Sequence, residues 1–256
     1  GLTLYNGTTY YGALRATDIA GNLSGIIIGD GITVGASSLV IGYLYEGNMT
    51  ADADLQNDSS SLVLAWGLES STIPLSLYEY ALGLSPGGNE TIDWTENGID
   101  TFVVISNLSL LNGNTYYGSV RAYDTDGNLS QIYSGDGITI DIAEPVIASQ
   151  SVANGSTISL TNSFSIEYVY SELLQSAEIQ VSSMISGTHE YNWEDDRVTV
   201  SFTGPFASLD TIQISPSVVD LVGNVSDPVQ HKFYTEILAD YNNDMAVDVI
   251  DLMQFI

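Results

Sequence analysis

The chain has 256 residues, with 32 acidic side chains against four basic ones (Arg15, Arg121, Arg197 and Lys232), a formal net charge of −28, and no cysteine. A surface this negative repels phosphate backbones and anionic headgroups, which excludes nucleic acid and membrane surfaces as partners, while it suits divalent cations and solubility in salt. The absent cysteines exclude a small disulfide scaffold, and no apolar run reaches the ~18–20 residues of a membrane span, residues 25–45 coming nearest before Asp30 and several glycines break them.

Residues 2–34 read LTLYNGTTYYGALRATDIAGNLSGIIIGDGITV, and residues 108–140 read LSLLNGNTYYGSVRAYDTDGNLSQIYSGDGITI. They align without a gap at an offset of 106 residues (Arg121 minus Arg15), with 21 of 33 positions identical. That period is too long for a solenoid and close to the ~100 residues of one β-sandwich module. The expected class is therefore all-β, a string of tandem sandwiches. Residues 1–34 hold only the second half of the unit: 9–17 alternates as a strand, 18–22 turns, and 23–34 returns. A lone hairpin is marginal in water, so its partner strands are expected from upstream sequence or from another chain. The start at Gly1, inside a repeat and without an initiator Met, reads as a piece of a longer, secreted protein.

Residues 35–141 hold a whole module, with strands expected at 38–45, 60–66, 75–82, 101–106, 114–123 and 129–141, separated by turn clusters such as Asn57-Asp58-Ser59 and Pro86-Gly87-Gly88-Asn89. In the strand 114–123, Tyr116, Gly118, Val120 and Ala122 share the packing face, and Tyr117, Ser119, Arg121 and Tyr123 the wet one. Trp66 on an early strand, with Leu110 six residues before Tyr116, resembles the fibronectin type III sandwich and its tyrosine corner; Leu4 and Tyr10 repeat the spacing. With GDGITI at its close, the repeat is similar to the type III-like repeats of large bacterial surface proteins. The resemblance covers residues 1–141 and implies a fold, not a ligand.

Residues 142–236 form a further unit after the short linker 142–145, whose Pro145 blocks a central strand. Strands are expected at 163–170, 177–182, 197–203, 211–219 and 229–235. Asn154-Gly155-Ser156, Phe164-Ser165-Ile166 and Tyr170-Ser171-Glu172 together resemble the bacterial Ig-like domains of surface-layer proteins and adhesins. The phrase Asp-x-x-Gly-Asn-x-Ser occurs three times, at Asp18, Asp124 and Asp220. Gly and Asn tolerate positive φ and Asp folds its carboxylate onto nearby N–H groups, so the phrase reads as hairpin chemistry between the last two strands.

Residues 237–256 carry the sharpest chemical signal. A 12-residue calcium loop takes oxygen ligands from positions 1, 3, 5, 7, 9 and 12, position 7 through its carbonyl. In DYNNDMAVDVID these are Asp240, Asn242, Asp244, Ala246, Asp248 and Asp251. Asp248 also suits the cap of a helix that Val249, Leu252, Met253 and Ile256 suggest. With Asp at the last position the segment resembles a partial dockerin-type repeat, which implies Ca2+ and docking on a cohesin-like partner. Met245 stands where the loop normally has Gly, and left-handed geometry there costs a side chain roughly 1 kcal/mol.

Other acidic positions are weaker. Asp30, Asp52 and Asp54 flank the first module junction and Asp136, Asp141 and Glu144 the second, where calcium would stiffen the string, though solvated loops account for them as well. Trp193-Glu194-Asp195-Asp196 reads as a polar hairpin turn and not as a catalytic pair. His189 and His231 are isolated, with no zinc pattern around them. Nine N-x-[ST] sequons, from Asn6 to Asn224, matter only where they are glycosylated. The function expected is a non-enzymatic extracellular structural protein: a surface layer, fibre or adhesin stalk ordered by calcium, with neighbouring modules or subunits of the same protein as partners in a homo-polymer. The alternative is the accessory or docking tail of a large secreted polysaccharide-degrading enzyme. A third reading, a polysaccharide-binding module, would stack sugars on Tyr117, Tyr123 or Trp94.

Overall fold

The computed structural model describes residues 4, 8–34, 39–71, 73–159, 163–183, 187–204 and 211–236. The described residues are strand, turn and coil, with no helix among them, and the chain divides into two compact units, Gly1–Asp141 and Ile142–Ile256.

The first unit opens with the hairpin. Strand β1 (Thr9–Tyr10) pairs antiparallel with β4 (Ile32–Thr33), and β2 (Ala13–Leu14) with β3 (Ile27–Ile28). The single strands expected at 9–17 and 23–34 are each broken in two, with Tyr11-Gly12 and residues 29–31 between the paired segments, although Gly12 O still accepts the Gly29 N–H across the hairpin at 2.9 Å.

A sandwich follows. Strands β5 (Val40–Glu46), β7 (Ser61–Ser70) and β10 (Phe102–Ser106) form one sheet in the order β10-β7-β5. The facing sheet runs β6-β13-β11-β8-β9, from β6 (Leu55–Gln56), β13 (Ile138–Ile140), β11 (Thr115–Asp124), β8 (Leu75–Gly83) and β9 (Ile92–Glu96), with β12 (Tyr133–Ser134) also on β11. Only β6 is parallel to its neighbour. One core joins the sheets: Leu62, Leu64 and Trp66 from the first meet Tyr78, Leu82, Tyr116, Val120, Ile138 and Ile140 from the second. Each such buried side chain contributes roughly 1.5–3 kcal/mol relative to exposure. Trp66 meets Tyr78 edge-on, ring centroids 5.7 Å apart at 71°, the geometry that aromatic quadrupoles favour.

Tyr116, Gly118, Val120 and Ala122 lie on the packed face of β11, but the other face is not wet. Ser119, expected there, is fully buried with its hydroxyl bonded to Ser134 and the Gly87 N–H, and Tyr117, Arg121 and Tyr123 are half-buried. Leu110 is buried, and the Tyr116 hydroxyl accepts the Leu111 N–H at 3.0 Å, which is a tyrosine corner. The single strand expected at 129–141 is broken into β12 and β13 at residues 135–137, where Gly137 has positive φ, and β6 and β9 have no counterpart in the expected set. The IDWTE of β9 is an edge strand with both acids outward, so its alternation marks a surface rather than a core.

The second unit is also a sandwich. One sheet runs β14-β16-β19-β18, from β14 (Ile147–Gln150), β16 (Ser163–Tyr170), β19 (Arg197–Thr203) and β18 (Thr188–Glu194). The other runs β15-β21-β20-β17, from β15 (Thr157–Ile158), β21 (His231–Thr235), β20 (Thr211–Asp220) and β17 (Leu174–Ser183). Four strands against a sheet that closes on the last two is the immunoglobulin arrangement. Ile166, Tyr168, Val198, Val200, Ile212, Ile214, Val218 and Phe233 fill the core. Strand β18 is exposed along its whole length, so the alternation of His189, Tyr191 and Trp193 with polar residues in THEYNWE marks an uncovered edge strand and not a core strand. It turns into β19 through Asp195-Asp196, with Asp195 at φ 52°, so the acidic stretch after Trp193 is a hairpin turn.

Candidate functional site

The three copies of Asp-x-x-Gly-Asn-x-Ser build the same corner. Asp220 Oδ1 accepts the N–H groups of Val222, Gly223 and Asn224 at 2.9, 2.7 and 2.9 Å, and its Oδ2 accepts Asn224 Nδ2 at 2.7 Å. Asp124 holds Asp126 and Asn128 in the same way, and Asp18 holds Asn22. The Ser hydroxyl then accepts a strand N–H across the hairpin: Ser24 from Ala16, Ser130 from Ala122, Ser226 from Val218. These bonds run within the chain itself, so the phrase locks a turn.

The chemically distinctive position is Glu46, at the end of β5. It is fully buried, and its carboxylate accepts two backbone N–H groups, Gly118 at 2.5 Å through Oε1 and Gly137 at 2.7 Å through Oε2. Glycine is required around it: a Cβ on Gly135 would fall on the carboxylate, and one on Gly118 would strike Leu64. Asp52 Oδ1 accepts the Glu46 N–H at 2.7 Å, and the carboxylate oxygens of Glu46, Asp52 and Asp136 all lie within 4.8 Å of one another. Burial pushes the Glu46 carboxyl up to about 7, the two amides pull it down, and the charges of Asp52 and Asp136 add to the rise. Asp52 is raised too, by burial and by Asp136. Three hard oxygen donors with no cation among them can share a proton or hold a divalent metal ion.

In the sequence Asp52 and Asp136 flank different expected junctions; the sandwich brings both to one end of one module, beside Glu46, which carries no motif. Asp30 and Asp54 stay exposed. The loop ligands Asp240, Asn242, Asp244, Ala246, Asp248 and Asp251 lie outside the described residues. Among the described residues no histidine joins a group of metal-ligating side chains: His189 lies 6.1 Å from the Phe202 ring and His231 5.2 Å from Tyr168. Trp94 carries the Arg121 guanidinium over its ring at 4.1 Å, held there by Glu79, so one stacking face is already occupied.

A second feature lies in the Ig-like unit. Ile147, Tyr170, Ser226, Val229 and His231 line an open groove of about 510 Å³. The Tyr170 hydroxyl and His231 Nδ1 are buried there without a hydrogen-bond partner in the protein. Burial raises the phenol to about 12 and lowers the imidazole, so both stand neutral at pH 7.

No family model and no curated protein sequence matches the chain. Among solved structures, it is similar to the fibronectin(III)-like modules of Clostridium thermocellum CbhA, at 10% identity and a TM-score of 0.38 over 76% of this chain and 95% of that one. It is similar to the alpha-L-rhamnosidase of Dictyoglumus thermophilum at 10% identity and 0.40, over 84% of this chain and 34% of that one, so it spans about a third of that enzyme. It is also similar to the D00-D0 domain of Intimin, at 14% identity and 0.30, over 74% of this chain and 99% of that one.

Proposed function

We propose that the chain is a non-enzymatic extracellular structural protein, a stretch of a surface layer, fibre or adhesin stalk built of tandem β-sandwich modules and ordered by calcium. The observation that supports this reading most is the repeat itself: one 33-residue hairpin occurs twice in sequence, with the same pairing in both copies. Repetition of a whole sandwich unit multiplies length, which is what a stalk or fibre needs. Calcium would act through the loop Asp240, Asn242, Asp244, Ala246, Asp248 and Asp251, and through Glu46, Asp52 and Asp136, where hard oxygens converge. Neutralising such groups also relieves the self-repulsion of a net charge of −28.

The test is mass and shape of natively purified material by light scattering and electron microscopy, with calcium and then with EDTA. Ordered assemblies that fray on EDTA are the expected result. Discrete monomers indifferent to EDTA would overturn it and favour an enzyme's accessory tail.

A further inference from the structure

The hairpin 8–34 repeats the last hairpin of the sandwich, strand pair for strand pair. Thr9↔Thr33 and Tyr10↔Ile32 match Thr115↔Thr139 and Tyr116↔Ile138; Ala13↔Ile28 and Leu14↔Ile27 match Ser119↔Ser134 and Val120↔Tyr133. Gly31, like Gly137, has positive φ, and a Cβ on either would strike a tyrosine ring, Tyr11 or Tyr117. What differs is the cover. Val120 and Ile138 are 0% exposed beneath the strands of residues 39–106, whereas their counterparts Leu14 and Ile32 are each 71% exposed.

The glycines carry the comparison further. A Cβ on Gly118 or Gly135 would meet Leu64 or the Glu46 carboxylate, but one on Gly12 would meet nothing within 4 Å, and one on Gly29 only the Gly12 carbonyl at 3.7 Å. The Gly118 and Gly137 N–H groups donate to Glu46; among the described residues the Gly12 and Gly31 N–H groups have no acceptor. Among the described residues, the first hairpin thus keeps two glycine N–H donors without an acceptor, beside glycines with open space where their counterparts meet Leu64 and Glu46.

We propose that the hairpin 8–34 is a docking face for a half-sandwich of the type of residues 39–106, whose first strand ends in a carboxylate that accepts the Gly12 and Gly31 N–H groups. A second copy of these 256 residues cannot supply it, because its residues 39–106 already enclose its own residues 108–140. The proposal rests on the tandem-module reading, yet it concerns the hairpin alone and not calcium or assembly.

The test extends the full chain by a second copy of residues 35–106 joined directly ahead of Gly1, in the register in which residue 106 leads into the later hairpin. Amide hydrogen exchange is then read at Gly12 and Gly31 in the extended and unextended chains. Both amides should slow by at least about tenfold on extension, and Glu46→Ala in the added copy should return these two to fast exchange. Gly29→Val should be harmless in the unextended chain and disruptive in the extended one. Amides that stay fast overturn the proposal, whether the added copy folds without the hairpin or stays unfolded beside it. Protection already present in the unextended chain, with dimers by light scattering, would place a second copy on this face and also overturn it. Assembly that responds to calcium while the two amides stay fast would defeat this proposal and leave the tandem reading standing.

Discussion

Glu46 accepts the amide hydrogen of Gly137 at 2.7 Å, and so ties the first strand of the sandwich to the turn before its last. The same carboxylate holds Gly118 on β11, so one buried side chain fastens three elements that are remote in sequence. A buried carboxylate with no cation nearby opposes folding when ionised, while its two hydrogen bonds favour it. Which term wins depends on pH.

That dependence gives the first prediction. The Glu46 carboxyl is raised from 4.5 to about 7, so between those values the folded state holds a proton that the unfolded state releases. Stability from this group is full below pH 4.5, falls as pH rises, and is lost above about 7, by roughly 3 kcal/mol in all. Urea unfolding of the first unit in calcium-free buffer should show this decline between pH 4.5 and 7. Glu46→Gln should flatten it, because an amide does not titrate; its NH2 also faces one of the two N–H groups, at about 1–3 kcal/mol. Equal slopes for the two proteins would contradict the account, since the remaining carboxylates are common to both.

The tyrosine corner gives the second. Tyr116→Phe keeps the buried ring and removes only the acceptor of the Leu111 N–H. Leu111 is exposed, so water can replace the hydroxyl, and the loss should be about 1 kcal/mol, with an unchanged fold. A much larger loss, or a changed amide spectrum across β11, would mean that the hydroxyl does more than pin residues 110–111.

The Asp-x-x-Gly-Asn-x-Ser corners should rank by what they hold. Asp220 is buried and takes three backbone N–H groups on one oxygen, Asp124 is buried and holds Asp126 and Asn128, and Asp18 is exposed on an uncovered hairpin. Asp220→Ala and Asp124→Ala should each cost roughly 2–4 kcal/mol in their own sandwich, because charge-assisted bonds to turn amides are lost. Asp18→Ala should leave the denaturation of both sandwiches unchanged. The reverse order would disconnect these bonds from stability.

Much of this was legible in the sequence because it is local or periodic. The repeat, the alternation of Tyr116, Gly118, Val120 and Ala122, and the spacing of Leu110 to Tyr116 all lie within a few residues of one another. Strands β9 and β18 escaped because they are edge strands that bury little: IDWTE and THEYNWE alternate, but among charged and polar residues that read as turns. Glu46 escaped for a different reason. Its partners are backbone amides 72 and 91 residues away, and an amide has no letter in the sequence. A trace was nevertheless present: Gly12, Gly29 and Gly31 recur as Gly118, Gly135 and Gly137, and of these Gly12, Gly29 and their copies lack the positive φ that turns require. Glycine in a strand without such a φ marks a close approach, and here the approaching group is a carboxylate.

The calcium loop can be tested through the one residue that departs from its pattern. Met245 stands at the sixth position, where glycine allows the sharp turn that brings Asp240 and Asp251 to one ion. If calcium binds there, Met245→Gly should remove roughly 1 kcal/mol of backbone cost and tighten binding about fivefold by titration calorimetry. Asp240→Ala should abolish the same heat, since it removes the first ligand. The Glu46 cluster offers an internal control: if calcium binds there, Asp52→Asn with Asp136→Asn should lower that affinity while the loop keeps its sequence. A calcium heat that survives Asp240→Ala and disappears with the Asp52 and Asp136 changes would move the ion from the C-terminal loop to the sandwich. A heat that persists through both sets would assign it to diffuse binding by a strongly negative surface.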